Sequence, residues 1–334
     1  MNRNDVIRLL TTQKTGDVEK LYRHAENVTK KVMGNVVHLR GLIEITNHCR
    51  RKCRYCGINA NNKSLERYRL TADEVIDAAN EAYRCGCNTI VIQGGEDPGI
   101  DENFISNVIR RIKKTLPVAV TLSLGEHSKK TYAAWKKAGA DRYLIRFEIG
   151  DRDLYAKLHP DSNGLKNRMQ CLHTLKELKY EVGSGVLLGL PGQTVERLAD
   201  DVMTFLKLDL DMVGVGPFVN HSLTKLTTSN EVEASADTAY RVNSFVRILS
   251  PSVNVPSTTA TATLDHDGYT KGLQRGANVI MLNFTPMAHR KLYEIYPNKA
   301  CIYQDRPTRD SITKWLNSIG RVPGTDVGNR RRLN

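Results

Sequence analysis

Apolar residues recur at helical spacing through DVIRLL and VEKLYRHAENVTKKVMG, which predicts a helical segment over about residues 2–33. The pattern then changes: VVHLRGLIEIT is β-branched and runs into a cysteine-rich stretch. Beyond it, short apolar runs alternate with amphipathic ones. Strands are predicted at 40–46, 89–93, 118–124, 141–147, 182–188, 211–215, 253–257 and 278–282. Helical patterns lie between them at 71–86, 101–115, 128–138, 151–158, 165–179, 194–208, 233–249 and 267–275, with a last one around 311–319. Thr71 stands as an N-cap before Asp73 and Glu74, and Gly86, Gly139 and Gly276 each close a helix shortly before a strand. Eight such units predict an α/β fold, a complete (β/α)8 TIM-type barrel with an N-terminal helical extension. An open doubly wound sheet is the alternative. The expected divisions are 1–36 for the helical segment, 37–300 for the barrel and 301–334 for a C-terminal helix and basic tail.

Composition narrows the class. The 334 residues are 40% hydrophobic and 25% charged, ordinary globular usage that excludes disorder, collagen and a small disulfide scaffold. No apolar run approaches the ~18–20 residues of a membrane span, and no signal-like apolar region follows the N-terminus, so a cytoplasmic protein is expected. Seven cysteines is an odd count, and three fall within eight residues, which argues for reduced thiols over a disulfide framework. The net charge of +13 is dispersed, with runs only at Arg50-Arg51-Lys52, from Arg110 to Lys114 and at Arg330-Arg331-Arg332. Such a balance leaves nucleic-acid binding open, and a solvated basic face or a pocket for small anionic molecules fits it at least as well. No GxGxxG follows an early strand and no GxxxxGK[ST] occurs, which weakens dinucleotide and P-loop readings.

The chemistry concentrates in ITNHCRRKCRYCGI, where Cys49-x3-Cys53-x2-Cys56 follows the first predicted strand. Three thiolates on one loop can hold three irons of a 4Fe–4S cluster and leave the fourth iron open. A zinc site completed by His48, or buried unbonded thiols, are the other readings. Cys85, Cys87, Cys171 and Cys301 form no second set. A barrel binds ligands at the C-terminal ends of its strands, and those ends are polar here. They carry Gln93-Gly94-Gly95-Glu96-Asp97, Gly125-Glu126, Arg146-Phe147-Glu148 and the hydroxyl row Thr258, Thr259 and Thr261, with Arg168 on the helix before strand five. A guanidinium such as Arg168 suits a carboxylate through a bidentate fork.

The Cys-x3-Cys-x2-Cys spacing, with the aromatic Tyr55 before the third cysteine and at the end of strand one, resembles the radical S-adenosylmethionine (SAM) superfamily. Strings such as IVIQGGEDPG, AGADRYLIRFE, LLGLPGQT and VPSTTATAT are similar to the radical enzymes that mature FeFe-hydrogenase, over roughly residues 35–300. Biotin synthase and methylornithine synthase are more distant. The resemblance implies one [4Fe–4S] cluster on Cys49, Cys53 and Cys56, and S-adenosylmethionine held by Tyr55, Gln93, Arg146, Glu148 and Arg168. It implies that Thr258, Thr259 and Thr261 contact substrate. The implied reaction is reductive cleavage of S-adenosylmethionine to a 5′-deoxyadenosyl radical, acting on an iron–cysteine–carbonyl–cyanide precursor of the hydrogenase two-iron subcluster. Implied partners are a small anionic organometallic or amino-acid-derived substrate, an electron donor such as ferredoxin or flavodoxin, and the other maturases, with no nucleic acid and no membrane. The alternative is another radical reaction in the same fold, an amino-acid mutase like methylornithine synthase or a maturase of a different hydrogenase. A lysine-derived substrate would need an acidic partner, for which Glu96 and Glu126 are candidates. Two features depart from the maturase pattern: phenylalanine stands where a histidine is expected between Arg146 and Glu148, and only Cys301 remains of a C-terminal cysteine set, so no second cluster is expected.

Overall fold

The structure, a computed structural model, describes residues 1–224, 226–229, 231–300 and 308–332. Two helices open the chain, α1 (Arg3–Thr11) and α2 (Thr15–Met33), followed by β1 (Val36–Thr46). Alternation then runs α3 (Ala72–Arg84), β2 (Thr89–Gly94), α4 (Glu102–Thr115), β3 (Ala119–Ser123), α5 (Lys129–Ala138) and β4 (Arg142–Leu144). Two helices, α6 (Arg152–Leu158) and α7 (Gly164–Glu177), precede β5 (Glu181–Leu188), α8 (Val195–Lys207) and β6 (Met212–Pro217). The last part holds α9 (Ala236–Leu249), β7 (Pro256–Ser257), α10 (Thr259–Leu264), α11 (Gly268–Leu273), β8 (Val279–Asn283), α12 (Met287–Arg290), α13 (Arg309–Ser318) and β9 (Val322–Pro323). Among the described residues no helix is long and apolar enough to cross a membrane.

Local chemistry explains the helix starts. Thr71 and Glu74 form a reciprocal capping box at α3, and Asp101, Ser128, Thr194 and Ser235 cap α4, α5, α8 and α9 by accepting a backbone N–H. The longer helices turn one apolar face inward. On α3 that face is Val75, Ala78, Ala79 and Ala82, lying so close to β1 that a Cβ on Gly41 would stand 2.5 Å from the Ala82 methyl.

The strands lie in the order β6-β5-β4-β3-β2-β1-β8-β7, each neighbouring pair parallel, and β9 pairs with β1 at Val36 and Val37. The expected complete barrel is not what forms. The two ends of the path, β6 and β7, share no ladder and meet at one bridge, Met212 to Asn254, near the base. Above it β7 is two residues long, and its first residue, Pro256, has no N–H to donate. The barrel is therefore nearly closed, with one unsealed seam on the side of the strand C-termini.

Two other elements differ from the sequence expectation. β4 is three residues long, not seven: its ladder ends at Tyr143 on the β3 side and at Leu144 on the β5 side, and beyond it Glu148, with a left-handed φ of 63°, meets β5 through a bridge to Val186. The hydroxyl row after β7 is a helix, α10: Thr258 caps it by accepting the Thr261 N–H, and Ala260 and Ala262 are buried. Burial there overrides the modest helix preference of alternating threonines.

Both termini brace the barrel. Arg241 on α9 donates to the carbonyls of Leu9, Leu10 and Thr12, and Tyr22 on α2 donates to Asp237. Residues 325–332 cross the base, where Arg142, fully buried, donates to Val327 O and Asn329 Oδ1 while ion-paired to Glu181 at 2.5 Å.

Candidate active site at the mouth of the barrel

The strand C-termini open into a cavity of about 850 Å³. Cys49, Cys53 and Cys56 all line it, on the loop leaving β1, and none is in a disulfide. The loop is held on every side. Arg50 N–H donates to Glu96 O, Gly57 N–H to Ile295 O, and Arg67 gathers the carbonyls of Asn47, Ile58, Asn59 and Asn62. Gly95 at the end of β2 passes so near that a Cβ there would stand 2.1 Å from His48 O and 2.8 Å from Cys49 Cβ. Burial pushes all three thiols up, Cys53 to about 12, and at Cys53 and Cys56 the neighbouring sulfurs add to the rise. Bare thiols in such a place stay protonated, so a group that draws three thiolates there must itself be positively charged and thiophilic. The donor set thus fits an iron–sulfur group. Among the described residues no three His, Cys, Asp or Glu side chains are grouped as a single metal ion would need.

An ionic frame stands behind the loop. Arg51 Nε donates to Glu96 Oε2 at 2.9 Å and its NH2 to Glu126 Oε2 at 3.0 Å. Glu126, 5% exposed, also accepts from Asn167 Nδ2 at 2.8 Å and has Arg168 Nε 2.9 Å from its other oxygen. That last contact is out of line for a hydrogen bond, so it is an ion pair, and Arg168 Nε donates instead to Tyr155 OH at 3.2 Å. Arg50 completes the frame on Glu96 at 2.5 Å, and the arginines hold the Glu96 carboxyl below the usual range despite its burial.

The residues proposed from sequence come together around this frame. Tyr55, Gln93, Arg146, Glu148 and Arg168 all line the cavity. Gln93 Nε2 reaches Tyr293 OH at 3.4 Å, and Arg146 NH2 donates to Val186 O while lying 3.0 Å from Glu148 Oε2. Burial raises the Glu148 carboxyl, opposed by Arg146 and Arg168. Thr258 and Thr259 line the cavity too, whereas Thr261 is 1% exposed behind them, its hydroxyl 2.9 Å from that of Thr258. Cys85, Cys87 and Cys171 do not line it, and Cys301 lies outside the described residues.

Three features of the cavity escaped the sequence reading. Arg40 rises from β1 into its floor, fully buried. One NH2 group contacts Met212 Sδ at 2.9 Å, and Nε and the other terminal nitrogen have no partner. Among the described residues no carboxylate lies within ion-pair distance of it, and burial with Arg142 nearby lowers it to about 9. Glu44, also on β1, is paired with Lys299 at 2.6 Å, and both side chains line the cavity. His159, at the end of α6, meets Tyr55 OH at 2.8 Å. A charge interrupting VVHLRGLIEIT was the only available signal for Arg40 and Glu44; His159 had none.

The sequence profile of the radical SAM superfamily matches residues 43–204, the span that carries the three cysteines, Gln93, Glu148 and Arg168. The protein named [FeFe] hydrogenase maturase subunit HydE from Thermotoga maritima is 44% identical over 325 residues, which are 97% of this chain and 92% of that one. The chain belongs to the radical SAM superfamily. The protein named 3-methylornithine synthase from Methanosarcina acetivorans is 27% identical over 283 residues, 83% of this chain and 78% of that one. The crystal structure of methylornithine synthase superposes with a TM-score of 0.84 at 24% identity over 97% of this chain and 94% of that one, a likeness of fold. As a radical SAM enzyme the chain cleaves S-adenosylmethionine to a 5′-deoxyadenosyl radical, and a [4Fe–4S] cluster and S-adenosylmethionine are the cofactors expected of its superfamily.

Proposed function

We propose that the chain is a hydrogenase maturase of the HydE type. Cys49, Cys53 and Cys56 would hold one [4Fe–4S] cluster, with Tyr55, Gln93, Arg146, Glu148 and Arg168 around S-adenosylmethionine. The cluster, when bound, supplies the electron for cleavage, drawn from a ferredoxin- or flavodoxin-type donor. The chain's own residues bind, orient and exclude water: Arg168 offers its terminal nitrogens to a carboxylate while Glu126 and Tyr155 fix its Nε. The substrate is a small anionic iron–cysteine–carbonyl–cyanide complex, seated below the cofactor near Thr258 and Thr259 and passed on toward the two-iron subcluster with the other maturases.

The observation that carries the anionic substrate is Arg40, a buried guanidinium in the cavity floor with no carboxylate within ion-pair distance among the described residues. A charge so placed is stable only when an anion completes it. A mutase acting on a lysine-derived ammonium fits less well, because Glu96 and Glu126, its candidate acidic partners, are both engaged by arginines.

The test is anaerobic reconstitution with iron and sulfide, followed by S-adenosylmethionine and a reductant. The intact chain forms 5′-deoxyadenosine, and Cys53→Ala loses cluster iron and all product. Activation of an unmatured FeFe-hydrogenase, by a mixture from which only its HydE is withheld, distinguishes the maturase from the mutase. No activation on adding this chain overturns the maturase reading.

A further inference from the structure

Four contacts tie the Cys49–Cys56 loop to one short stretch, the end of α6 and the turn after it. Arg51 NH1 donates to Asp161 O at 3.2 Å, Lys52 N–H to Asp161 Oδ1 at 3.1 Å, and Arg54 N–H to Leu158 O at 3.0 Å. These three set the path of the loop. The fourth orients a side chain that faces the cavity: Tyr55 OH lies 2.8 Å from His159 Nε2.

His159 is itself immobilised. It is 3% exposed, its Nδ1 lies 2.9 Å from Tyr155 O, and its ring stacks on Tyr155 at 4.0 Å and 21°. A carbonyl oxygen can only accept, so Nδ1 carries the proton. In the neutral ring Nε2 is then an acceptor, and Tyr55 donates to it. Tyr55 also meets the imidazole edge-on, centroids 5.3 Å apart at 77°, so His159 bears on both the position and the tilt of a ring that also packs against a small apolar cluster including Leu154 and Phe218. Tyr155, which holds His159, accepts from Arg168, and Arg168 pairs through Glu126 with Arg51 on the same loop. The circuit starts and ends within the cysteine motif, and His159 is the one member whose polar contact is made to a cavity-facing ring of that motif.

We propose that His159 is a positioning residue for S-adenosylmethionine binding, acting only through the hydrogen bond by which it fixes the Tyr55 side chain. The proposal rests on the cavity being the S-adenosylmethionine site. One misoriented ring loses contact with the cofactor but leaves the cysteines in place, so affinity falls while cluster content holds.

The experiment uses the full chain, reconstituted anaerobically. The dissociation constant for S-adenosylmethionine is read from the change it makes in the electron paramagnetic resonance signal of the reduced cluster. Iron content and far-UV circular dichroism check loading and fold. Tyr55→Phe and His159→Phe are each expected to weaken binding by about five- to tenfold, the worth of one hydrogen bond. The double variant is expected to be no weaker than either single one, because both remove the same bond. His159→Gln, which keeps an acceptor at the reach of Nε2, is expected to stay within about twofold of the unaltered protein. Multiplied losses in the double variant, or a loss with His159→Phe that Tyr55→Phe does not share, would overturn the role of His159 alone. An iron-loaded, unaltered protein that does not bind S-adenosylmethionine would overturn the site assignment, and the proposal with it.

Discussion

Arg40 shows how far a single residue can be read from the chain. As an arginine inside VVHLRGLIEIT it is visible as a break in an apolar run, but the run does not say whether the side chain meets a carboxylate or an empty space. In the structure it meets the space, with two of its nitrogens unpartnered among the described residues. Replacing an unpaired buried charge by an apolar side chain of similar length commonly stabilises a protein. Arg40→Met is therefore expected to raise the unfolding free energy by roughly 1–3 kcal/mol and to abolish the binding of small inorganic anions in the cavity. Thermal unfolding and anion titration check the two halves separately. Lower stability would show that the guanidinium has a partner after all. The three cysteines stand at the opposite extreme: their spacing made them legible because all three come from one loop. Glu126 and His159 were not legible as supports, because their meaning lies in Arg51, Arg168 and Tyr55, residues up to about a hundred positions away.

At the level of elements, alternation and helix caps were readable because they are local, and the interior strands β1, β2 and β3 follow from their apolar runs. β4, β7 and α10 were not, since each is decided by what packs on it. The ladder of β4 ends at Leu144, ahead of the left-handed Glu148, and α10 forms where its two alanines are buried. α8 carries a testable consequence of such packing. Asp201 on its inner face accepts the Gly150 N–H at 2.8 Å, but its other oxygen has no partner, and burial raises the carboxyl to about 8. The folded state thus binds this proton more tightly than the unfolded chain, whose aspartate titrates near ~4. Stability from this group is complete below pH ~4 and is lost as pH rises toward about 8. Asp201→Asn keeps the acceptor and removes the titration, so it is expected to stabilise by about 1–3 kcal/mol at pH 8.5 and by little at pH 4.5. Unfolding curves at the two pH values read the difference. Equal effects at both would mean the carboxyl is not shifted upward.

The whole molecule closes its base with a segment that reads in the sequence as a basic tail. Its role is not legible locally, because Gly324, Val327 and Gly328 carry no signal beyond turn chemistry; at these three the contacts are made by backbone groups, to β1, Thr89, Arg142 and Asn254. Deleting residues 325–334 strips the buried Arg142 of two acceptors and Glu181 of the Arg330 N–H. At about 1 kcal/mol or more for each lost bond to a buried group, a loss of at least roughly 3 kcal/mol is expected. It should appear as a lower unfolding midpoint and faster amide exchange at the bases of β1, β2 and β4. At the other end, the gap between β6 and β7 alters the mechanics of the wall. A ring of unbroken ladders resists widening as a hoop does, since any increase in girth must stretch hydrogen bonds all round. A ring split on one side bends instead, and its girth changes where Gly214 and Gly216 face Pro256 and Thr258 with no ladder to break. The chamber can then take contents of different bulk, with its stiff side at the cysteines and its yielding side at the threonines.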